Sequence, residues 1–495
     1  MASLLSLPDE LLCEVLGYLE PEDDLTPETT GVKDGQWTIE HSGRALAAVA
    51  KTCKRLNPVA TQLLYSRYEA TYDDPVLGQI DRIRLDPVAR KYLRHVRIFG
   101  RHPRSKAPKA TYEPSRQRLK QLKAELAHFN PFKYAQDHLN GNPVNASLKE
   151  PALLELTAIV MQAENLETYE TLYMSQSHLR SRVHKPGTLL TPIINTAVRL
   201  RDELDVSNAY SRLKHLDIDL EDTQNAFILL LLRLPALKSI CIRNVRILQD
   251  RYTPEYQVWP GGMTSTSGVT SIVLHCSNLH DCDPVLEMIE CCKELTQFRC
   301  ISDRGSDGPE STRTIYQEIL RALQQHSNTL KHLELYPGYS TEGYHFGKIF
   351  RRLDGFDEFS VLDDLSVPLP FLMGRPRGIF RDGTWRSEEK ESAHYPLLED
   401  ILPPEVTKLH LIMGPRISPE QGKSYLNMLS GILDTKVKHL HVTWGPMAWQ
   451  NDLPINFWHI KRYLMQNGRD FTYRIKTSIN RGYGKCSPKF YNGQY

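Results

Sequence analysis

LLSLPDELLCEVLGYLEPEDDL, residues 4–25, and ALAAVAKTCKRLNPVATQLLYSRYE, residues 45–69, decide how the rest of this chain is read. Ser6-Leu7-Pro8-Asp9 spells a helix start. Ser6 is able to cap, Pro8 suits a first turn where its missing N–H goes unused, and Asp9 and Glu10 sit at the positive end of the helix dipole. Leu7, Leu11 and Val15 then recur at four-residue steps with Leu12, Leu16 and Leu19 beside them, a broad apolar stripe that must be buried. A second helix carries Leu46, Val49, Cys53 and Leu56. Asn57-Pro58 supplies a cap and a first-turn proline for a third, which carries Val59, Leu63, Leu64 and Tyr68. Three short helices make a small core, and such a module normally shares its apolar surface with a partner.

Taken together, in order and near the N-terminus, these two stretches resemble the F-box, including a second half in which Cys-Lys-Arg-Leu runs into a Leu-Tyr segment. The resemblance implies docking on the Skp-type adaptor that joins cullin and a RING protein in SCF ubiquitin ligases. It assigns Leu7, Pro8, Leu11, Leu12, Val15, Leu16 and Leu19 to a first contact strip. Leu46, Val49, Cys53, Leu56 and Leu63 would divide between the adaptor and the module's own core. One departure stands out: Leu19 and Cys53 are 34 positions apart, longer than the compact family pattern. The extra stretch, TPETTGVKDGQWTIEHSG at 26–43, is polar and turn-rich and reads as a surface loop.

Composition sets the outer limits. Of 495 residues, 40% are hydrophobic and 24% charged, enough for a small module and a larger body. With 61 basic and 59 acidic residues the formal charge is +2, which gives no global reason to expect nucleic acid or an acidic membrane as partner. The longest apolar run, Ala226–Leu232, is far short of a membrane helix. The first residues lack the basic n-region of a secretory signal, so nine reduced cysteines in the cytoplasm or nucleus are expected.

Beyond residue 85 one pattern recurs: apolar, two variable, apolar, one variable, apolar. It reads Leu93/Val96/Ile98, Leu213/Leu216/Ile218, Leu237/Ile240/Ile242, Val269/Ile272/Leu274 and Leu295/Phe298/Cys300. It continues as Leu330/Leu333/Leu335, Leu362/Leu365/Val367, Val406/Leu409/Leu411 and Val437/Leu440/Val442. The last two apolar positions alternate as in a strand with one face inward. Stretches with helical spacing precede several of them: Asp222–Arg233, Pro284–Cys291, Thr312–His326 and Pro419–Leu433. From Leu213 to Val437 the steps run from 24 to 44 residues, and the asparagine or cysteine expected after each strand is mostly missing. The body thus resembles the irregular leucine-rich-repeat body of F-box proteins common in fungi. The expected fold is α/β: a three-helix F-box at 1–70, a leucine-rich-repeat-like solenoid at 71–460 with inserts near 100–150 and 369–395, and a basic, aromatic tail or cap at 461–495. A non-repetitive α/β domain is the competing reading.

Stacked repeats present their outward strand positions as a binding face. Here these hold Asp217, Cys241, Val273, Arg299, Glu334, Ser366, His410 and His441, followed two residues on by Asp219, Arg243, His275, Ile301, Tyr336, Ile412 and Thr443. Charges of both signs beside aromatic and aliphatic groups suit a protein segment. Asp217, Asp219, Arg243, His275, Arg299, Glu334, Tyr336, His410 and His441 are therefore the candidate substrate-surface residues. The basic segment Arg101–Lys123 has dispersed charges and a helical second half, Gln117–Phe129, so it reads as a solvated insert. Leu369–Tyr395 reads as a long loop.

No metal or cofactor is expected. Cys276, Cys282, Cys291, Cys292 and Cys300 lie near His275 and His280, but no C-x-x-C pair occurs among them. No nucleophile elbow, phosphate loop, HExxH or dinucleotide fingerprint is present. The reading is a non-catalytic, substrate-recognising subunit of an SCF-type ligase, with Skp-type adaptor and an unknown protein substrate as partners. Its competitors are an adaptor-independent interaction scaffold and an enzyme using the strand face.

Overall fold

The computed structural model describes residues 7–18, 44–71, 86–99, 115–128, 151–163, 165–172, 193, 210–219, 229, 231–247, 265–279, 282–302, 309–337, 352–374, 378–381, 384–387, 398–413, 431–444, 457–475 and 491–492. Ser6, Leu19, the loop 26–43, and most of the helical stretches expected at 222–233 and 419–433 lie outside them. The chain divides into two compact units. One comprises Met1–Glu221 with Arg233–Leu237, and the other Asp222–Leu232 with Lys238–Tyr495.

The first unit opens with three helices: α1 (Asp9–Gly17), α2 (residues 44–52) and α3 (Leu56–Ser66). Their boundaries differ from expectation. Pro8 stands just outside α1 as its N-cap, and its carbonyl accepts the first helical bond from Leu12 N at 3.0 Å. Cys53 lies between α2 and α3, and its thiol accepts the Leu56 N–H at 3.3 Å. Asn57 therefore does not cap. Its side-chain amide instead donates to Ala50 O at 2.9 Å, tying α3 to the end of α2. Tyr68 was expected on the third helix, yet α3 ends at Ser66 and Tyr68 is fully buried in strand β1 (Arg67–Thr71).

From there β1, β2 (His95–Phe99), β3 (Thr168–Leu172) and β4 (His215–Asp219) pair in chain order, all parallel. Tyr68, Val96, Tyr169 and Leu216 share one register row and are all buried. Between the strands run α4 (Pro87–Tyr92), α5 (Arg116–His128) and α6 (Pro151–Gln162). The helical second half of the basic insert is confirmed by α5. Its Arg118 pairs with Glu155 of α6, a carboxylate with no exposed surface.

In the second unit β5 (Ser239–Ile247), β6 (Ser271–Leu279), β7 (Gln297–Ser302), β8 (His332–Tyr336) and β9 (Asp364–Pro368) are parallel neighbours in chain order. A short hairpin, β10 (Gly378–Arg381) with β11 (Thr384–Ser387), and a helix, α9 (Leu369–Met373), occupy what the sequence reading took as an uninterrupted loop at 369–395. The parallel ladder resumes with β12 (Lys408–Met413), β13 (His439–Trp444) and β14 (Asp470–Ile475), and β15 (Tyr491–Asn492) pairs antiparallel with β14. The tail thus contributes strands as well as a helix, α10 (Phe457–Gln466).

All nine apolar triplets end in a described parallel strand, and their last two apolar positions are buried. Helices complete the core. In α8 (Pro309–Leu323), Thr312, Ile315, Tyr316, Ile319, Leu320 and Leu323 are buried at three- and four-residue spacing, and α8 packs on α7 (Asp283–Cys291). One backbone device repeats down the ladder. The carbonyl just before each strand accepts two N–H groups from the start of the next strand. Lys238 O takes Thr270 and Ser271, Thr270 O takes Thr296 and Gln297, and Thr296 O takes Lys331 and His332. Lys331, Asp363 and Thr407 continue the series, at 2.7–3.1 Å throughout. These bonds need no particular side chain, so strands align without a conserved asparagine.

Candidate functional site

Packing of α3 against α1 sorts the apolar stripe into two classes. Leu12 and Leu16 are buried in a core with Leu56, Val59 and Ala60, while Leu7, Cys13, Val49, Ala50, Cys53 and Leu63 pack around it half-buried. Leu46 is buried as well. Pro8 is exposed, and so are Leu11 at 45%, Val15 at 40% and Tyr18 at 83%. Positions 11, 15 and 18 fall at steps of four and three, on one face of α1. The strip expected from Leu7 to Leu19 is therefore divided: Leu12 and Leu16 hold the helices together, and Pro8, Leu11 and Val15 face out. Tyr18 was missed in sequence, although its spacing from Val15 continues the outward series. Leu19 lies outside the described residues.

Arg55 holds the start of this surface in place. Its guanidinium donates to Leu7 O at 2.5 Å and lies 3.5 Å from the Asp9 carboxylate, linking the end of the second helical segment to the N-terminus of α1. The Cys13 thiol is pushed up by burial and by the nearby Asp9 and Glu10 charges, so it stays protonated at neutral pH.

The strand faces form the second surface. In the first unit Glu69, Arg97, Glu170 and Asp217 occupy one outward register row. Arg97 donates to Glu170 at 2.5 Å and lies 3.5 Å from Glu69, and Arg67, His95 and Thr168 complete a shallow depression around them. Asp217 is half-buried beside them; of Asp219 only the place at the end of β4 is described.

In the second unit Cys241, Val273, Arg299, Glu334, Ser366, His410, His441 and Thr472 form a corresponding row, and Arg243, His275, Ile301 and Tyr336 form part of the next. The candidates Arg243, His275, Arg299, Glu334, Tyr336, His410 and His441 are all half-buried there. Ile412 and Thr443 are covered, unlike the exposed positions expected. Arg299 pairs with Glu334 at 2.6 Å, His332 approaches Asp364 at 3.7 Å, and His439 meets Asp470 at 2.9 Å. Thr472 was not among the expected surface residues. The alternation of Phe471 and Tyr473 around it was the available signal.

The cysteines behave as core residues. Cys276, Cys282, Cys291, Cys292 and Cys300 are buried and unbridged, and burial, with Cys291 adjacent, pushes the Cys292 thiol up to about 12. Among the described residues no group of three or more His, Cys, Asp or Glu side chains is placed to hold a metal ion. Among the same residues no helix is long and apolar enough to cross a membrane.

No curated protein matches the chain closely enough to count as a relative. The helical module is different: residues 4–69 match the family model for the F-box-like domain, and the chain carries that domain there.

Proposed function

We propose that this chain is the substrate-recognition subunit of an SCF-type (Skp–cullin–F-box) ubiquitin ligase. The observation that carries the reading is the F-box-like match at residues 4–69, whose first helix leaves Leu11, Val15 and Tyr18 uncovered on one side. An apolar strip on a module this small is the kind of surface a permanent partner covers. The Skp-type adaptor is that partner. The parallel ladders, with their repeated carbonyl device, are read as a leucine-rich-repeat-like body whose outward rows hold a protein target. The chain performs no bond chemistry. It raises the effective concentration of target lysines at an enzyme carried by other subunits. Co-expression with a Skp-type adaptor, followed by size-exclusion chromatography, tests this directly. A stoichiometric complex is expected, and its absence with folded protein overturns the assignment.

A further inference from the structure

Helix α1 starts on a residue that has no polar side chain with which to cap it. Its N-cap is Pro8, held at φ −54° and ψ 155° without a side-chain hydrogen bond to the helix. Two other contacts fix how the chain enters. Leu7, one residue before the cap, and Leu12, four residues after it, belong to one apolar cluster, the arrangement of a hydrophobic staple. Arg55 supplies the second contact. Its Nη2 donates to Leu7 O at 2.5 Å and lies 3.5 Å from Asp9 Oδ1, so one guanidinium grips the residues on either side of Pro8. Arg55 and Leu7 are 48 positions apart. The clasp therefore joins the two halves of the motif across the whole stretch between them.

The turn that carries Arg55 is braced by its own side chains. Thr52 Oγ1 donates to Val49 O at 2.7 Å, Cys53 Sγ accepts the Leu56 N–H at 3.3 Å, and Asn57 Nδ2 donates to Ala50 O at 2.9 Å. On the other side, Leu7 O is taken by Arg55 and Pro8 O by Leu12 N at 3.0 Å. With its φ locked by the ring and the carbonyls of both residues engaged, Pro8 is left one position. That position matters because Pro8 heads the exposed series. Pro8, Leu11, Val15 and Tyr18 follow at steps of three, four and three, and all four are exposed. The side chains of Arg55 and Asp9 are 45% and 71% exposed, so their ion pair adds little to the stability of the fold. Its effect falls on the direction in which the chain meets α1.

We propose that Arg55 is a positioning residue for adaptor docking. By gripping Leu7 and Asp9 it sets Pro8 in line with Leu11 and Val15, so that the three reach the adaptor as one surface. The proposal rests on the reading of this strip as the docking surface, and it adds a residue from the other half of the motif that touches the adaptor only through Pro8. A lysine reaches the same carbonyl with a point charge in place of a planar fork, and so replaces the clasp in part.

The test uses the full chain and a Skp-type adaptor, with affinity measured by titration calorimetry. Arg55→Ala is expected to weaken binding about tenfold, the loss of one hydrogen bond from a charged donor, and Arg55→Lys to recover part of it. Because Arg55 acts through Pro8, Arg55→Ala combined with Pro8→Ala is expected to lose clearly less than the product of the two single losses. Hydrogen exchange reads the same change without the adaptor: the Leu12 amide, bonded to Pro8 O, should exchange faster in Arg55→Ala while amides within α3 keep their rates. Arg55→Ala binding within twofold of the unsubstituted chain overturns the proposal. So does a double variant that loses the full product, or acceleration of α1 and α3 amides alike, which marks Arg55 as a strut of the fold. An unsubstituted chain that fails to bind the adaptor overturns the docking reading and this role with it, whereas binding that Arg55→Ala leaves unchanged overturns this role alone.

Discussion

Substituting aspartate for both Leu11 and Val15 separates docking from folding. Fully burying a leucine or valine side chain is worth about 1.5–3 kcal/mol. Leu11 is still 45% exposed and Val15 40%, so covering what remains contributes roughly 1 kcal/mol at each. Aspartate forgoes that and sets a carboxylate against an apolar partner surface, at about 2 kcal/mol or more apiece. The double variant should therefore lose roughly 6 kcal/mol of adaptor affinity, a weakening of more than about ten-thousandfold. Its own stability should change by no more than about 0.5 kcal/mol, because neither side chain belongs to the buried cluster. Leu12→Ala is the mirror image. Leu12 has no exposed surface, and its truncation should cost about 3 kcal/mol of stability by opening a cavity against Leu56 and Val59. Titration calorimetry with the adaptor and urea melts monitored by circular dichroism measure the two quantities. Adaptor binding by the aspartate variant within threefold of the unsubstituted chain would refute the docking strip.

Arg118→Ala removes a guanidinium from a carboxylate, Glu155, that has no exposed surface. It should destabilise the first unit by about 3 kcal/mol in urea, with Arg118→Lys recovering part of it. At Glu167, burial alone would raise the carboxyl. The hydrogen bond and charge of Lys214, with Arg94, outweigh it and hold the group below its usual value of 4.5. Its contribution is thus present above that value and lost as pH falls through the lower folded value, so Lys214→Ala should flatten the acid limb of the stability profile. His326 is depressed below 6.5 by burial, partly offset by its bond to Ile289 O. It stays neutral when folded, and stability should decline as pH drops below about 6.5. Alkylation at pH 8 read by mass spectrometry should label the half-buried Cys53 and Cys241 well before the buried Cys276, Cys292 and Cys300.

The strands were legible where the alternation was aliphatic, and hidden where it was not. At β3 the inward pair is Tyr169 and Thr171, and a buried threonine does not register as apolar. At β1 Tyr68 follows Leu64 by four residues, so strand and helix periodicity coincide there, and only the end of α3 at Ser66 tells them apart. At β14 the inward Phe471 lies just after a turn at Gly468, where φ is +70° and the Arg469 N–H returns to Leu464 O. That glycine closes α10 and marks the strand to come. The division of the α1 stripe could not be read from period alone. Leu11 and Leu12 are adjacent, as are Val15 and Leu16, and which of each pair faces out is decided by where α3 packs.

Spacing between strands varies from 24 to 44 residues, yet the register of neighbouring strands changes little. Lengthening a connection by that ratio costs only about 0.5 kcal/mol in closure entropy. Alignment rests instead on backbone carbonyls that accept paired N–H groups whatever side chains surround them. Inward positions are restricted by packing, and connections are cheap to alter. Outward positions are bound by neither constraint, so they are where the sequence of this body can vary without changing how it folds. The row through His410 and His441 is the place where outward positions have become interdependent: His410 meets hydroxyls of β9 and β13, and His441 meets one of its own strand and one of β14.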